Sequence, residues 1–175
     1  MKVVTNMGVS ILILLLFAVS ICPAQTTKDE PKREILFEEL NSLLPNAKPV
    51  PPERSEYLWR NLKLCVKKML DKSFSNLGLP NVFFQELKGN SDIVSAKTPF
   101  KVIGDELKIA DGAVVQLKTG ERFFFLEGTW RNLGKQNTQV DTCLQKIREL
   151  AKKEVSKYER KGPPYYSSTE GVLGE

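Results

Sequence analysis

The residues that could do chemistry in this chain are few, because its 175 residues include no histidine. Without a histidine base, the usual serine and cysteine hydrolase arrangements and most catalytic zinc sites are excluded. The neighbouring acids Glu38 and Glu39 could act as a general acid and a general base in catalysis, as could Asp105 and Glu106. Adjacent acids in helices and turns are usually solvated, however. The sequence therefore favours a protein that is not an enzyme and that carries no cofactor and no metal.

Cysteine is the other reactive residue, and the chain has three. Cys22 lies in an N-terminal segment that we expect to be removed, which leaves Cys65 and Cys143 as an even pair. In an oxidising compartment such a pair is expected to form a disulfide bond. The alternative is two separately buried free thiols.

The segment RFFFLEGTW is the candidate binding element. In a strand, successive side chains point to opposite faces, so Phe123 and Phe125 face one way. Phe124 and Leu126 face the other way, and both faces need a cover. Helices can cover one of them. The other face, with Trp130 beyond its end, is the candidate surface for a small hydrophobic ligand or a protein partner.

The hairpin that precedes this segment suggests an alternative function. Gln116 and Gly120 lie in VVQLKTGERFFFLEG, which resembles the Gln-x-Val-x-Gly inhibitory hairpin of the cystatins. Lys118 stands where that family has valine, and several predicted strands separate the hairpin from the helix before it. The resemblance implies a cystatin-like inhibitor that inserts this hairpin into the cleft of a cysteine protease.

The N-terminus indicates where the protein acts. Residues 8–24, GVSILILLLFAVSICPA, have an apolar centre, and Cys22 and Ala24 have the spacing of a signal peptidase site. A membrane-spanning helix needs about 20 apolar residues, and Pro23 interrupts this shorter run. We therefore predict a signal peptide and a secreted, extracellular protein without stable membrane insertion after cleavage. An uncleaved signal anchor is the alternative.

The charge of the chain is mildly basic, with a formal net charge of +5 that falls by one when Lys2 leaves with the signal peptide. The lysines are spread along the chain and suit solvated helix faces, so no nucleic-acid partner is predicted. A cationic, membrane-active host-defence protein is a further alternative function.

The elements that must position these residues follow from the spacing of apolar side chains. That spacing predicts helices over residues 34–44, 53–74 and 138–158. Between them lie short segments rich in β-branched and aromatic residues, with hairpin turns predicted at 110–112 and 118–121. The predicted fold is α+β, an antiparallel β-meander of four to six strands flanked in sequence by amphipathic helices that pack on one face.

The predicted domain organisation has four parts. Residues 1–24 are the signal peptide, and residues 25–50 are a polar segment with a short helix and a proline-rich link. Residues 51–160 form a single α+β domain, and residues 161–175 are a flexible tail. Cys65 and Cys143 fall on the apolar stripes of the two long helices, so a disulfide would hold those helices side by side.

Overall fold

Over residues 30–156 and 168–174, which the computed structural model describes, three helices flank a sheet of six antiparallel strands. This arrangement confirms the predicted α+β fold. The predicted signal peptide lies outside the described residues. In chain order the elements are α1 (Glu30–Leu43), α2 (Pro52–Asn76), β1 (Ile93–Ile103), β2 (Glu106–Ile109), β3 (Val114–Leu117), β4 (Arg122–Leu126), β5 (Thr129–Asn132), α3 (Thr138–Ser156) and β6 (Ser168–Leu173).

The helix boundaries follow capping and breaking residues. Pro52 lies in the first turn of α2, where its missing N–H costs no hydrogen bond. That helix ends at Asn76, and Gly78 follows with a left-handed φ of +69°. Helix α3 begins after Asn137, whose side-chain oxygen accepts a hydrogen bond from the backbone N–H of Gln139 at 2.9 Å. Both long helices therefore begin close to where the sequence predicts.

The sheet is built on β1, its longest strand. Residues 93–97 of β1 pair with β3, and residues 100–103 pair with β2. Strand β6 pairs with the opposite edge of residues 98–103. β2 and β3 therefore lie end to end along one edge of β1. The turn at 110–112, predicted as a hairpin, instead carries the chain from β2 to β3, and only β3, β4 and β5 follow one another as a meander.

Two tight turns set the register of β4. The backbone N–H of Leu117 donates to the carbonyl of Glu121 at 2.9 Å, which closes the predicted hairpin turn with Gly120 at a φ of +86°. Glu127 and Gly128 form a two-residue turn between β4 and β5, with φ values of 49° and 77°. Positive φ at both positions is what a type I′ hairpin requires.

Three segments differ from the sequence-based expectation. Residues 82–89 are predicted as a strand but form turns, with Phe83 and Phe84 packed into the core. Strand β5 lies at residues 129–132, for which no strand is predicted. Strand β6 lies in the tail that is predicted to be flexible. Each outcome depends on a tertiary neighbour, because a short strand forms only where another strand offers its edge.

The helices pack on both faces of the sheet, and the prediction that they share one face is wrong. Helix α2 covers the face that carries Phe123 and Phe125. Helices α1 and α3 cover the opposite face, which carries Phe124 and Leu126. The two apolar sides of β4 are therefore both buried in helix–sheet cores.

This layering also contradicts the predicted disulfide. Cys65 and Cys143 are both free thiols. Cys65 is half-buried on α2 and packs at the margin of one core, whereas Cys143 is buried in the other core. A disulfide needs α-carbons within about 7 Å, and here the sheet lies between the two cysteines. The spacing of apolar residues correctly predicted that each cysteine lies on the core-facing side of its helix. It could not show which face of the sheet each helix covers.

Helix α1 belongs to the folded domain rather than to a separate polar segment. Its Leu40 is 1% exposed and lies in the same core as Leu144 and Ile147 of α3. The Sγ of Cys143 also donates a hydrogen bond to the carbonyl of Leu36 at 3.3 Å. Helix α1, which the sequence places in the segment before residue 51, thus packs in one core with α3.

Candidate functional site

The predicted apolar binding face is part of the core. Phe123, Phe124 and Leu126 are 1–2% exposed, Phe125 is 8% exposed and Trp130 is 1% exposed. On the α2 side, Trp59 meets Phe125 and Trp130 edge to face, with ring centroids 5.4 and 5.7 Å apart. Helix side chains thus occupy the space in which a hydrophobic ligand was expected.

The predicted inhibitory hairpin is tied to the body of the protein. Lys118 pairs with Asp92 at 3.1 Å, and Glu121 pairs with Arg54 of α2 at 2.5 Å. Gly120 lies at the exposed tip with no atom within 4 Å of where a Cβ would lie. Gln116, however, is half-buried, and its side chain lines a groove on the α3 side of the sheet.

That groove runs between β1 and α3, and we call it the polar groove. It consists of two adjoining cavities of about 360 and 350 Å³ that share Lys97, Gln145 and Arg148. Volumes of this size suit small-molecule ligands. Most of the residues that line it are polar: Ser95, Lys97, Thr98, Gln116, Arg122, Gln136, Thr138, Asp141, Thr142, Gln145, Arg148, Glu149 and Lys152. Pro99, Val114, Val172 and Gly174 complete the lining.

The sheet supplies one wall of the polar groove through strand register. Ser95 of β1 is the partner of Gln116 in β3, and Gln116 is the partner of Arg122 in β4. Residues opposite one another in paired strands present their side chains to the same face. These three residues therefore form a polar row across the sheet, next to the apolar row that α3 covers.

Helix α3 supplies the other wall through a second stripe. Asp141, Gln145, Arg148 and Lys152 follow one another at spacings of three or four residues, so they share one side of the helix. This stripe runs beside the apolar stripe that packs on the sheet. It was not predicted from the sequence because a polar stripe usually faces only solvent. Its signal in the sequence is the spacing of these long polar side chains along α3.

Two internal bonds hold the basic side chains of the polar groove. Arg122 Nη2 donates to Asp141 Oδ1 at 2.6 Å, which joins β4 to the start of α3. Arg148 Nη1 donates to the carbonyl of Gly112 at 2.8 Å. Burial lowers the pKa of the Arg148 guanidinium, and the carboxylates of Asp141 and Glu149 act against that shift. A guanidinium nevertheless stays protonated in proteins, so Arg148 contributes a fixed positive charge.

The lining of the polar groove has more positive than negative charge. Its basic residues are Lys97, Arg122, Arg148 and Lys152, whereas its acidic residues are Asp141 and Glu149. Lys97, Gln145 and Lys152 are exposed, and the side-chain amide of Gln145 donates to Glu149 at 3.1 Å. The arrangement can bind an anion and donate several hydrogen bonds to it.

The protonation of the two described cysteines and of Glu106 follows from their surroundings. Burial raises the pKa of both the Cys65 and the Cys143 thiol, so neither is a ready thiolate nucleophile at neutral pH. A hydrogen bond from Lys108 lowers the pKa of Glu106, which holds that acid as a charged carboxylate. Residues 30–156 and 168–174 contain no group of three potential metal ligands.

Comparison with known proteins gives no guide to function. The chain matches no protein-family model, no curated protein and no solved structure. Among the described helices, none is long and apolar enough to cross a membrane.

Proposed function

We propose that this protein is a secreted, non-enzymatic binding protein that holds a small anionic ligand in the polar groove between β1 and α3. The observation that supports the proposal most directly is the composition of that groove. Four basic side chains, two acidic ones and a set of hydroxyl and amide groups converge on a concavity within one rigid helix–sheet unit.

The chemistry of the lining indicates the class of ligand. Lys97 and Lys152 are exposed ammonium groups at the groove, and Arg148 adds a fixed guanidinium to the same lining. Carboxylate and phosphate oxygens are the acceptors that such groups bind most strongly. The amides of Gln116 and Gln145 can donate to further oxygens of the same molecule. A small carboxylate or phosphate compound with additional polar groups fits this set.

The burial of the apolar faces supports a polar ligand over a hydrophobic one. Helices α1, α2 and α3 already cover both sides of β4, so β4 offers no free apolar face. The secretory location of the proposal comes from the predicted signal peptide at residues 1–24, which precedes the described residues.

Ligand-dependent stability is the direct test. Urea unfolding of the purified protein would be followed with inorganic phosphate, with citrate, and with glucose as a neutral control. A ligand that binds only the folded state stabilises it by about 2.7 kcal/mol at a hundredfold excess over Kd. We expect stabilisation by at least one of the anions and none by glucose.

A pair of variants ties the effect to the groove. Lys97→Gln removes an exposed charge that lines both cavities, whereas Lys146→Gln removes an exposed charge on α3 outside the lining. Anion stabilisation should be lost or strongly reduced in the first variant and kept in the second. Equal stabilisation of both variants would reject the polar groove as the binding site.

A further inference from the structure

The loop after α2 concentrates exposed apolar side chains in one place. Leu77 is 70% exposed, Leu79 is 54% exposed and Val82 is 57% exposed. Among the described residues, the other large apolar side chains that are exposed to a similar degree lie singly on separate elements: Ile35, Val94 and Val172. We call residues 77–82 the apolar loop.

The apolar loop is held in a defined conformation. The backbone N–H of Leu79 donates to the carbonyl of Phe74 at 2.8 Å, and the N–H of Gly78 donates to the carbonyl of Ser75 at 3.0 Å. Asn81 donates to Asp71 of α2 at 2.6 Å and accepts from the N–H of Phe83 at 2.9 Å.

With the loop held by these bonds, one apolar side chain of this region is buried in the core and three are exposed to solvent. Phe83 is 4% exposed and packs 6.0 Å from the ring of Phe74, which closes the inner side. Leu77, Leu79 and Val82 are left pointing away from the core. Three solvent-exposed apolar side chains on an ordered loop are unfavourable in water. The surface that they form is therefore suited to contact with an apolar environment.

Positive charge lies directly beside the apolar loop. Lys68 and Lys72 are exposed on α2 before its last turn, on the stretch where Asn81 of the loop contacts Lys67 and Asp71. Asp71, between them in sequence, is already bonded to Lys67 at 3.2 Å and to Asn81. Apolar side chains flanked by free ammonium groups match the surface of an anionic bilayer, where acyl chains lie beneath negatively charged headgroups.

We propose that the apolar loop docks this protein reversibly onto an anionic lipid surface. Leu77, Leu79 and Val82 enter the boundary between headgroups and acyl chains, and Lys68 and Lys72 contact the headgroup phosphates. This contact is peripheral and needs no helix that crosses the bilayer. It involves elements other than those of the polar groove, so it stands independently of the proposed ligand.

Cosedimentation with vesicles tests the docking surface. The purified protein is mixed with vesicles of phosphatidylcholine alone or with vesicles that also contain phosphatidylserine. We expect binding to the vesicles with phosphatidylserine and much weaker binding to the others, with the difference shrinking as salt is added. Absence of binding to either vesicle would overturn the proposal and would favour a protein partner for the loop.

Matched variants distinguish binding through the apolar loop from nonspecific binding through other exposed apolar or basic residues. Leu79→Ser should reduce the partition coefficient about tenfold, whereas Ile35→Ser on α1 should leave it unchanged. Lys72→Gln should reduce binding to the phosphatidylserine vesicles about fivefold, whereas Lys146→Gln should not. Vesicle binding that is equal in Leu79→Ser, Ile35→Ser and the unmodified protein would reject the loop as the docking element.

Discussion

Gly112 occupies a place in the chain where a side chain larger than hydrogen does not fit. It has a φ of +78°, and a Cβ there would lie 2.7 Å from the carbonyl oxygen of Leu144 and 3.0 Å from the backbone nitrogen of Arg148. Its own carbonyl accepts the hydrogen bond from the Arg148 guanidinium. The packing of α3 against this turn, and with it the position of Arg148 in the polar groove, thus depends on this glycine.

We expect Gly112→Ala to lower the free energy of unfolding by roughly 2–5 kcal/mol, since it adds a backbone clash to the cost of a left-handed alanine. Gly120→Ala is the matched control, because Gly120 has a φ of +86° but no atom within 4 Å of the added carbon. That change should cost only about 1–2 kcal/mol. Equal losses in urea unfolding would show that α3 does not approach the chain at this point.

Asp92 joins three parts of the molecule. Its carboxylate accepts hydrogen bonds from Tyr57 of α2 at 2.7 Å and from Lys118 of the hairpin at 3.1 Å. Its backbone N–H donates to the side chain of Asn61 at 2.7 Å. The hydrogen bond from Tyr57, followed by the one from Lys118, lowers the pKa of Asp92 from its usual value of 3.8.

A lowered pKa in the folded state gives a definite pH dependence. The carboxylate of Asp92 stabilises the fold above its unfolded pKa, and that contribution is lost as the pH falls through the lower folded pKa. We expect Asp92→Asn to be less stable than the unmodified protein at neutral pH and to lose less stability on acidification below about pH 4. Tyr57→Phe should show the same trend more weakly. The free energy of unfolding in urea is measured between neutral and acidic pH for all three proteins. If it falls by the same amount on acidification in each of them, this role of Asp92 is contradicted.

At the scale of elements, β4 explains the layering. Phe123 and Phe125 alternate with Phe124 and Leu126, and all four side chains are buried. A strand that is apolar on both sides needs a cover on each, and α2 supplies one while α1 and α3 supply the other. The arrangement also keeps Cys65 and Cys143 in different cores.

Thiol chemistry tests this layering. The denatured, unreduced protein should react with two equivalents of a thiol reagent, counting the chain after loss of Cys22. In the native protein the half-buried Cys65 should react first, and Cys143 should react only on unfolding, because it is 1% exposed. Cys65→Ser should then cost about 1 kcal/mol, instead of the roughly 2–5 kcal/mol that loss of a native disulfide costs. An absence of reactive thiols before reduction would instead support a bridge between the two helices.

At the scale of the whole molecule, the two proposed surfaces lie on different elements. The polar groove lies along β1 and α3, whereas the apolar loop follows α2, on the other side of the sheet. A secreted protein with this layout can hold a polar ligand while it rests on a lipid surface. The secreted location is a separate part of the proposed function and has its own test.

Secretion is tested by the N-terminus of the exported protein. When the full chain is expressed in a secreting eukaryotic host, we expect the protein in the medium to begin at Gln25, after cleavage behind Ala24. Ala24→Arg should block cleavage at that bond, because signal peptidase requires a small residue there. Retention of the unmodified protein in cell membranes, with residues 1–24 still attached, would favour a signal anchor.

The sequence by itself determined part of the local structure of this protein. Helical spacing placed α2 and α3, and alternation along β4 showed that both of its sides are apolar. The hairpin turn at Gly120 followed from local chemistry as well, since only a few residues tolerate a positive φ. These features depend on residues close together in the chain, so the sequence contains what is needed to predict them.

Only the tertiary structure decided which surfaces meet. Periodicity shows that a helix has an apolar side, but it does not show which face of the sheet that side covers. For this reason the sequence pointed to a disulfide between Cys65 and Cys143 and to a ligand on the Phe123–Leu126 face, and the fold contradicts both. The polar groove forms because Ser95 and Gln116 of the sheet lie opposite Gln145 of α3. Long-range packing of α3 on the sheet brings these residues together, and no local sequence pattern predicts it.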